Sequence, residues 1–212
     1  WVLDVSDTRD PDVVRAAAVG PGTEEGTYSV SFRPNSPDTP YLALTPQGLV
    51  EPVALVADAP SDLRHRGNGA DYLVITNPAL KGPAQDLADY RDLQGLDAML
   101  IELEDVYDEF NDGLESPAAI RDFLSYAYHN WSCPPQYVLV AGNGTYDYRN
   151  IRGYGDNIVP AIMKATTDHG LVASDNHFVD VEGEDGVPEM AIGRLPAATP
   201  GELATMVEKL KT

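Results

Sequence analysis

The feature that most constrains this chain is a series of short, unbroken apolar runs alternating with stretches of helical period. Tyr72-Leu73-Val74-Ile75-Thr76, Met99-Leu100-Ile101-Glu102-Leu103 and Tyr137-Val138-Leu139-Val140-Ala141 are the runs. A strand with one face in water alternates apolar and polar residues, so an unbroken apolar run belongs to a strand buried on both faces. Between the runs, Pro83 to Leu93 carries Leu87, Tyr90 and Leu93 on one helical face. Ser116-Pro117 offers an N-cap followed by proline at the first helical position, and Ile120, Phe123, Leu124, Ala127 and Trp131 then recur at spacings of three and four. The β-α-β-α-β series predicts a parallel sheet with right-handed crossovers and helices on both faces. Two further strands are expected around His177 to Val181 and Glu189 to Ile192. Thr199-Pro200-Gly201-Glu202 reads as a capping box opening a last helix, with Glu202 reaching back to the Thr199 amide.

Residues 1–60 follow another rule. Trp1 to Val5, Tyr28 to Phe32, Tyr41 to Leu44 and Val53 to Val56 are short apolar or alternating runs separated by Pro, Gly, Asp and Asn, the pattern of short antiparallel strands. Four such strands are too few for an independent sandwich, which typically needs about seven, so the partner strands are expected upstream. Residues 61–69, with Arg64-His65-Arg66-Gly67-Asn68-Gly69, have no apolar period and read as a connector. The expected organisation is a β-rich module at 1–60, a connector at 61–69 and an α/β unit at 70–212. Trp1 to Val5 reads as a strand and Lys209 to Thr212 as the inside of a helix, so the polypeptide is expected to continue beyond both.

Composition narrows the function classes. Thirty-four Asp and Glu stand against 14 Lys and Arg, a formal charge of −20, which repels a phosphate backbone and an anionic membrane surface. No nucleic-acid partner is expected. No window approaches the roughly 18 apolar residues of a membrane span, so no membrane insertion is expected in this segment. One cysteine allows no internal disulfide.

In an open parallel sheet, chemistry gathers in the loops at the carboxyl ends of the strands. The loop Ala141-Gly142-Asn143-Gly144-Thr145 could bring backbone close to a ligand, but it lacks the lysine and hydroxyl residue of a phosphate loop and reads as a plain turn. Cys133 precedes a strand and so lies at the amino end of the sheet, where a free thiol behaves as a small apolar side chain. His169, in Thr167-Asp168-His169-Gly170, belongs to the loops at the other end, which argues against a Cys133–His169 dyad. His65, His129 and His177 show no metal-ligand spacing. The segment from Asp180 to Glu189 concentrates five carboxylates around Gly183 and Gly186. Such a loop suits calcium, which takes six to eight oxygen ligands, and equally suits a solvated acidic turn.

Several blocks together resemble the gingipain family of cysteine peptidases. They are Ala70 to Thr76, Asp105 to Phe110 with Gly113, Ser116 to Leu124, Pro134 to Gly142, Ser174-Asp175 and Ala191 to Pro196, in matching order over residues 70–212. Residues 1–60 resemble the β-rich region that precedes the peptidase domain in larger members. The resemblance implies a caspase-like α/β fold, a flavodoxin-like three-layer half-domain preceded by a small antiparallel β module. It also implies a Cys/His dyad that lies downstream of this chain, so no catalytic residue is expected here. Its other implications are an extracellular or cell-surface setting, a protein or peptide substrate, and the remaining peptidase half as partner. It further implies a structural calcium with Asp185 and Glu189 as carboxylate ligands and carbonyl oxygens near Glu182 and Val187. The alternatives are a catalytically inactive scaffold or secretion component and a calcium-dependent extracellular binding module.

Overall fold

The computed structural model describes residues 1–212 apart from Arg9, Val56, Asp156, Glu184 and Thr212. It divides into two compact units, Trp1–Asp58 and Ala59–Thr212.

The first unit holds β1 (Val2–Asp4), β2 (Asp12–Val13), β3 (Ala18–Pro21), β4 (Tyr28–Ser31) and β5 (Tyr41–Ala43). β1 pairs antiparallel with β2 and β5, while β3 and β4 form a separate hairpin. Asp4 fastens the loops around β1: its Oδ1 accepts from the Ser6 hydroxyl at 2.6 Å and the Ser6 amide at 3.0 Å, and its Oδ2 accepts from Asn35 Nδ2 at 3.1 Å. The strand expected at 53–56 is not formed among its described residues. Val53 and Leu55 project into solvent with no strand beside them to make a ladder.

The second unit is the predicted layered sheet. Its strands are β6 (Tyr72–Thr76), β7 (Ala98–Glu102), β8 (Tyr137–Ala141) and β11 (Ala191–Leu195), all parallel in the order β11-β8-β6-β7. Alternation along the central strands feeds two cores. Leu73 and Ile75 of β6 and Val138 and Val140 of β8 face α2 (Leu103–Asn111), α3 (Pro117–Asn130) and α4 (Asn176–Val179). Tyr72, Val74, Leu139 and Ala141 face α1 (Lys81–Leu93) and α5 (Pro200–Lys211), against Leu87, Leu203 and Val207. All five apolar residues predicted for the α3 stripe, Ile120 to Trp131, are buried. At about 25 cal/mol per Å² of apolar surface, layers of this kind supply most of the favourable folding free energy.

Helix ends follow the sequence with small changes. Ser116 Oγ accepts from the Ala118 amide at 3.1 Å, as an N-cap should. Thr199 Oγ1 accepts from the Glu202 amide at 3.3 Å, but Glu202 returns its carboxylate to the Ala198 amide at 2.8 Å, one residue before the expected one. Leu93 is exposed, so the buried face of α1 runs through Ala84, Leu87 and Ala88.

Two expectations about 160–192 are corrected. Residues 176–179 form α4, not a strand: Phe178 and Val179 are both fully buried, which consecutive residues of a strand with one covered face cannot be. The strand expected at Glu189 to Ile192 starts at Ala191 and runs to Leu195. A hairpin that the sequence reading did not anticipate joins β9 (Met163–Thr166) to β10 (Gly170–Ala173), turning at Gly170 with φ +68°.

Residues 61–69, read as a connector, are packed within the second unit. Glu109 Oε1 accepts from the Ser61 hydroxyl and the Leu63 amide, both at 2.6 Å, and the Arg64 guanidinium donates to the Glu109 carbonyl. The Leu63 carbonyl accepts from Trp131 Nε1 at 2.9 Å, and Arg64 lies over the Phe110 ring at 4.2 Å.

Candidate functional site

β6 comes first in sequence yet sits inside the sheet, with β7 on one side and β8 on the other. The connections therefore leave β6 and β8 in opposite directions, and their carboxyl ends flank the switch crevice where open α/β sheets place ligands. Here the chain itself bridges the crevice. The Thr76 hydroxyl, fully buried, donates to the Ala141 carbonyl at 2.7 Å.

Gly142 and Gly144 then let the returning segment 157–161 lie directly on the loop. A Cβ at Gly142 would stand 2.5 Å from Ile158 Cγ2, and one at Gly144 would stand 2.6 Å from the Val159 carbonyl oxygen. The Ile158 and Val159 amides both donate to the Asn143 carbonyl. The space is taken by the Ile158 and Val159 side chains at Gly142 and by the backbone of Val159 and Ala161 at Gly144.

The strongest polar constellation joins two blocks that sequence places apart, Ser174-Asp175 and Gly193-Arg194. Arg194 leaves the end of β11 and forms a bidentate pair with Asp175, Nε to Oδ2 at 2.8 Å and Nη2 to Oδ1 at 2.7 Å. Its Nη1 donates to the carbonyls of Gly142 and Val159, each at 2.8 Å. Planar two-point pairing of this kind is specific to arginine. One guanidinium thus ties the end of β8, the returning segment and the start of α4. Nearby, Ser174 Oγ sits 2.9 Å from His177 Nδ1. The Arg194–Asp175 arrangement orients loops.

Residues 145–155 form a turn organised from inside by Asp147, whose carboxylate accepts from the amides of Ile151 and Arg152. Tyr146 and Tyr154 project outward with ring centroids 5.6 Å apart. Their mutual hydrogen bond raises the Tyr146 phenol above its ordinary range and lowers that of Tyr154, which the Arg152 side chain lowers further. Elsewhere, burial pushes the Tyr107 phenol well up, so it stays neutral at any ordinary pH.

The acidic loop carries the metal-ligand expectation. Glu189 Oε2 accepts from the amides of Val181 and Glu182 at 2.7 and 3.1 Å, and Asp185 Oδ1 accepts from the Val187 amide at 2.9 Å. Among the described residues no three acidic, histidine or cysteine side chains converge as a metal cluster. Sequence reasoning passed over Asp180 as an individual ligand. It is 5% exposed, its Oδ2 accepts from the Gly186 amide at 3.1 Å, and its Oδ1 has no hydrogen-bond partner. Asp180, Asp185 and Gly186 line one cleft with Arg121, Lys164 and His177.

Cys133 lies at the amino end of the sheet, bridged to Gly69, with Sγ 3.9 Å from Asp71 Oδ1. His169 sits in the turn of the β9–β10 hairpin, which leaves from the carboxyl end, so the two do not form a dyad. His65 Nδ1 accepts from the Gly67 amide, and His129 Nδ1 stands 2.8 Å from the Ser125 carbonyl. Each ring is engaged by backbone of its own segment.

The model of peptidase family C25 matches residues 65–212. No curated protein sequence matches the chain. Among solved structures, dimeric latent PorU from Porphyromonas gingivalis superposes with a TM-score of 0.54 at 24% identity, covering 67% of this chain and 15% of that one. The Arg-specific cysteine proteinase gingipain R (RgpB) superposes with a TM-score of 0.50 at 20% identity, covering 72% of this chain and 29% of that one. At these identities the likeness shows a shared fold. The chain spans less than a third of the length of either structure.

Proposed function

Since the chain belongs to peptidase family C25, a family of cysteine peptidases, we propose that it is the first half of the catalytic fold of an extracellular cysteine endopeptidase, preceded by a β module. In this reading a thiolate attacks the peptide carbonyl and an imidazole moves the proton, and both groups come from polypeptide that follows these residues. The observation that carries the reading is the Arg194–Asp175 clamp. It spends the family-like motif residues on fixing the loops at the carboxyl end of the sheet, the end against which a reacting half would act.

The test compares this chain with a longer natural polypeptide that includes the following sequence. The 212-residue chain should hydrolyse no peptide, and the longer one should hydrolyse members of a mixed peptide library and lose that turnover to a thiol alkylating agent. Turnover by the 212 residues that Cys133→Ala removes would overturn the assignment of roles. A longer polypeptide that binds but never cleaves would instead make the protein an inactive relative.

Calcium in the acidic loop is part of the same proposal. The residues fit the ion at one point in particular: Asp180 Oδ1 is buried without a partner inside the bend that Gly186 closes, and a hard cation would satisfy it. Asp185 and Glu189, which do not converge with Asp180 among the described residues, would have to swing in on binding to add carboxylate oxygens, with the carbonyls near Glu182 and Val187 completing the shell. Calcium would then raise the melting temperature, since it binds the folded loop alone. Asp185→Asn combined with Glu189→Gln should abolish that rise. An unchanged response to calcium in the double variant would remove the ion from this loop.

A further inference from the structure

The turn at 145–155 brings two phenols together at the surface. Asp147 is buried and its carboxylate accepts from the Ile151 and Arg152 amides, while Asn150 Oδ1 accepts from the Gly155 amide at 3.1 Å. Gly153 and Gly155 take φ of +73° and +95°, which reverses the chain on either side of Tyr154. The Tyr146 and Tyr154 rings consequently lie at a centroid distance of 5.6 Å, with their hydroxyls hydrogen-bonded to each other. Both residues stay open to solvent, at 53% and 58% exposure. Other tyrosines mark the difference. Tyr137 stacks on Tyr72 at 6.1 Å, but Tyr72 is 9% exposed, and Tyr148 commits its hydroxyl to the Ala161 carbonyl at 2.6 Å.

We propose that Tyr146 and Tyr154 form a site of oxidative coupling, joined ortho carbon to ortho carbon as an intramolecular dityrosine by a one-electron oxidant such as the ferryl haem of a peroxidase. Two oxidising equivalents are consumed: each phenol gives up one electron and one proton, and the two phenoxyl radicals then pair their electrons in one C–C bond. Each ortho hydrogen moves to its own ring's oxygen, so the product regains both phenols and the pair has lost two hydrogen atoms in all. The hydroxyl-to-hydroxyl hydrogen bond preorganises the step, because it lays the two ortho positions side by side and survives in the product, where the phenols flank the new bond. The same hydrogen bond, with the Arg152 side chain, lowers the Tyr154 phenol and so favours the phenolate, the form that yields an electron most readily. Coupling within one turn has a high effective concentration, whereas coupling between copies must bring together two chains of formal charge −20. The new bond would close a loop around residues 147–153 and staple the turn that follows β8. The inference is independent of the peptidase reading.

Treating the 212-residue chain with a haem peroxidase and hydrogen peroxide tests the site. Blue dityrosine fluorescence should appear in the monomer, with an intact mass lower by two hydrogen atoms. Arg149 and Arg152 lie between the two tyrosines, so trypsin releases them on separate peptides unless a covalent bond holds these together. The joined pair should be recovered after digestion. Tyr146→Phe and Tyr154→Phe should each remove it, while Tyr137→Phe leaves it in place. Both residues are exposed and each variant keeps its ring, so the melting temperature should match that of the parent and a lost link reports the chemistry. Oxidation that leaves the two peptides separate would overturn the proposal. So would a link confined to dimers, or one that survives Tyr154→Phe.

Discussion

The two units of this molecule both contain strands of five residues or fewer, yet they bury them to opposite degrees. In 59–212 each central strand feeds alternate side chains to two helical layers, so that Leu73 and Val74, neighbours in sequence, vanish into different cores. In 1–58 the same pleat exists, but among the described apolar side chains only Val2 is buried. A strand is thus a local property of its residues, whereas a core requires a second layer at about 10 Å, which local pattern cannot provide.

The sharpest way to break this contrast is to remove a core side chain from one unit and an apolar side chain from the other. Phe123→Ala, at a fully buried ring packed edge-on against Phe110 and Trp131, should cost about 3–5 kcal/mol in urea denaturation. Leu55→Ala, at a side chain 90% exposed, should change stability by less than about 0.5 kcal/mol. Equal losses would mean that the first unit has a core after all.

Next in size is the clamp. Arg194→Lys keeps the charge but cannot reproduce the bidentate pair or both carbonyl contacts, and should cost about 2 kcal/mol by thermal unfolding. A loss no larger than that of a surface substitution would show that Asp175 and the two carbonyls find other partners.

The smallest effect belongs to the first unit and to acid. Asp4 is held below its ordinary value of 3.8 chiefly by the Ser6 hydroxyl, then by the Ser6 amide. A folded value below the unfolded one means that this carboxylate stabilises the fold fully above the ordinary value and loses its contribution as pH falls through the folded one. Asp4→Asn should therefore differ from the parent near neutrality and converge with it in acid, as followed by exchange at the β1 amides. A difference that persists in acid would place the effect in packing, not in the charge.

How far this could be read beforehand depends on the residue. Tyr72 to Thr76 announced a doubly covered strand, and Ser116-Pro117 announced a helix start, because each signal is local. Phe178-Val179 misled: two adjacent apolar residues fit a strand and a helical turn alike, and only packing against α3 decides between them. The β9–β10 hairpin went unseen because Met163 to Thr166 and Gly170 to Ala173 are four-residue, mostly exposed strands, too short for the alternation in Met163-Lys164-Ala165-Thr166 to mark them. At the site, Ser174-Asp175 and Gly193-Arg194 were visible as separate blocks, but their pairing is a tertiary fact. Asp180 stood within a run of acids, and nothing in the run marks which carboxylate is buried.

That single guanidinium has a collective consequence. Gly142, Val159 and Asp175 belong to three segments that share one fastener. Removing that guanidinium would take one hydrogen-bond partner from each of the three segments at once, so its loss is felt across the carboxyl-end loops together.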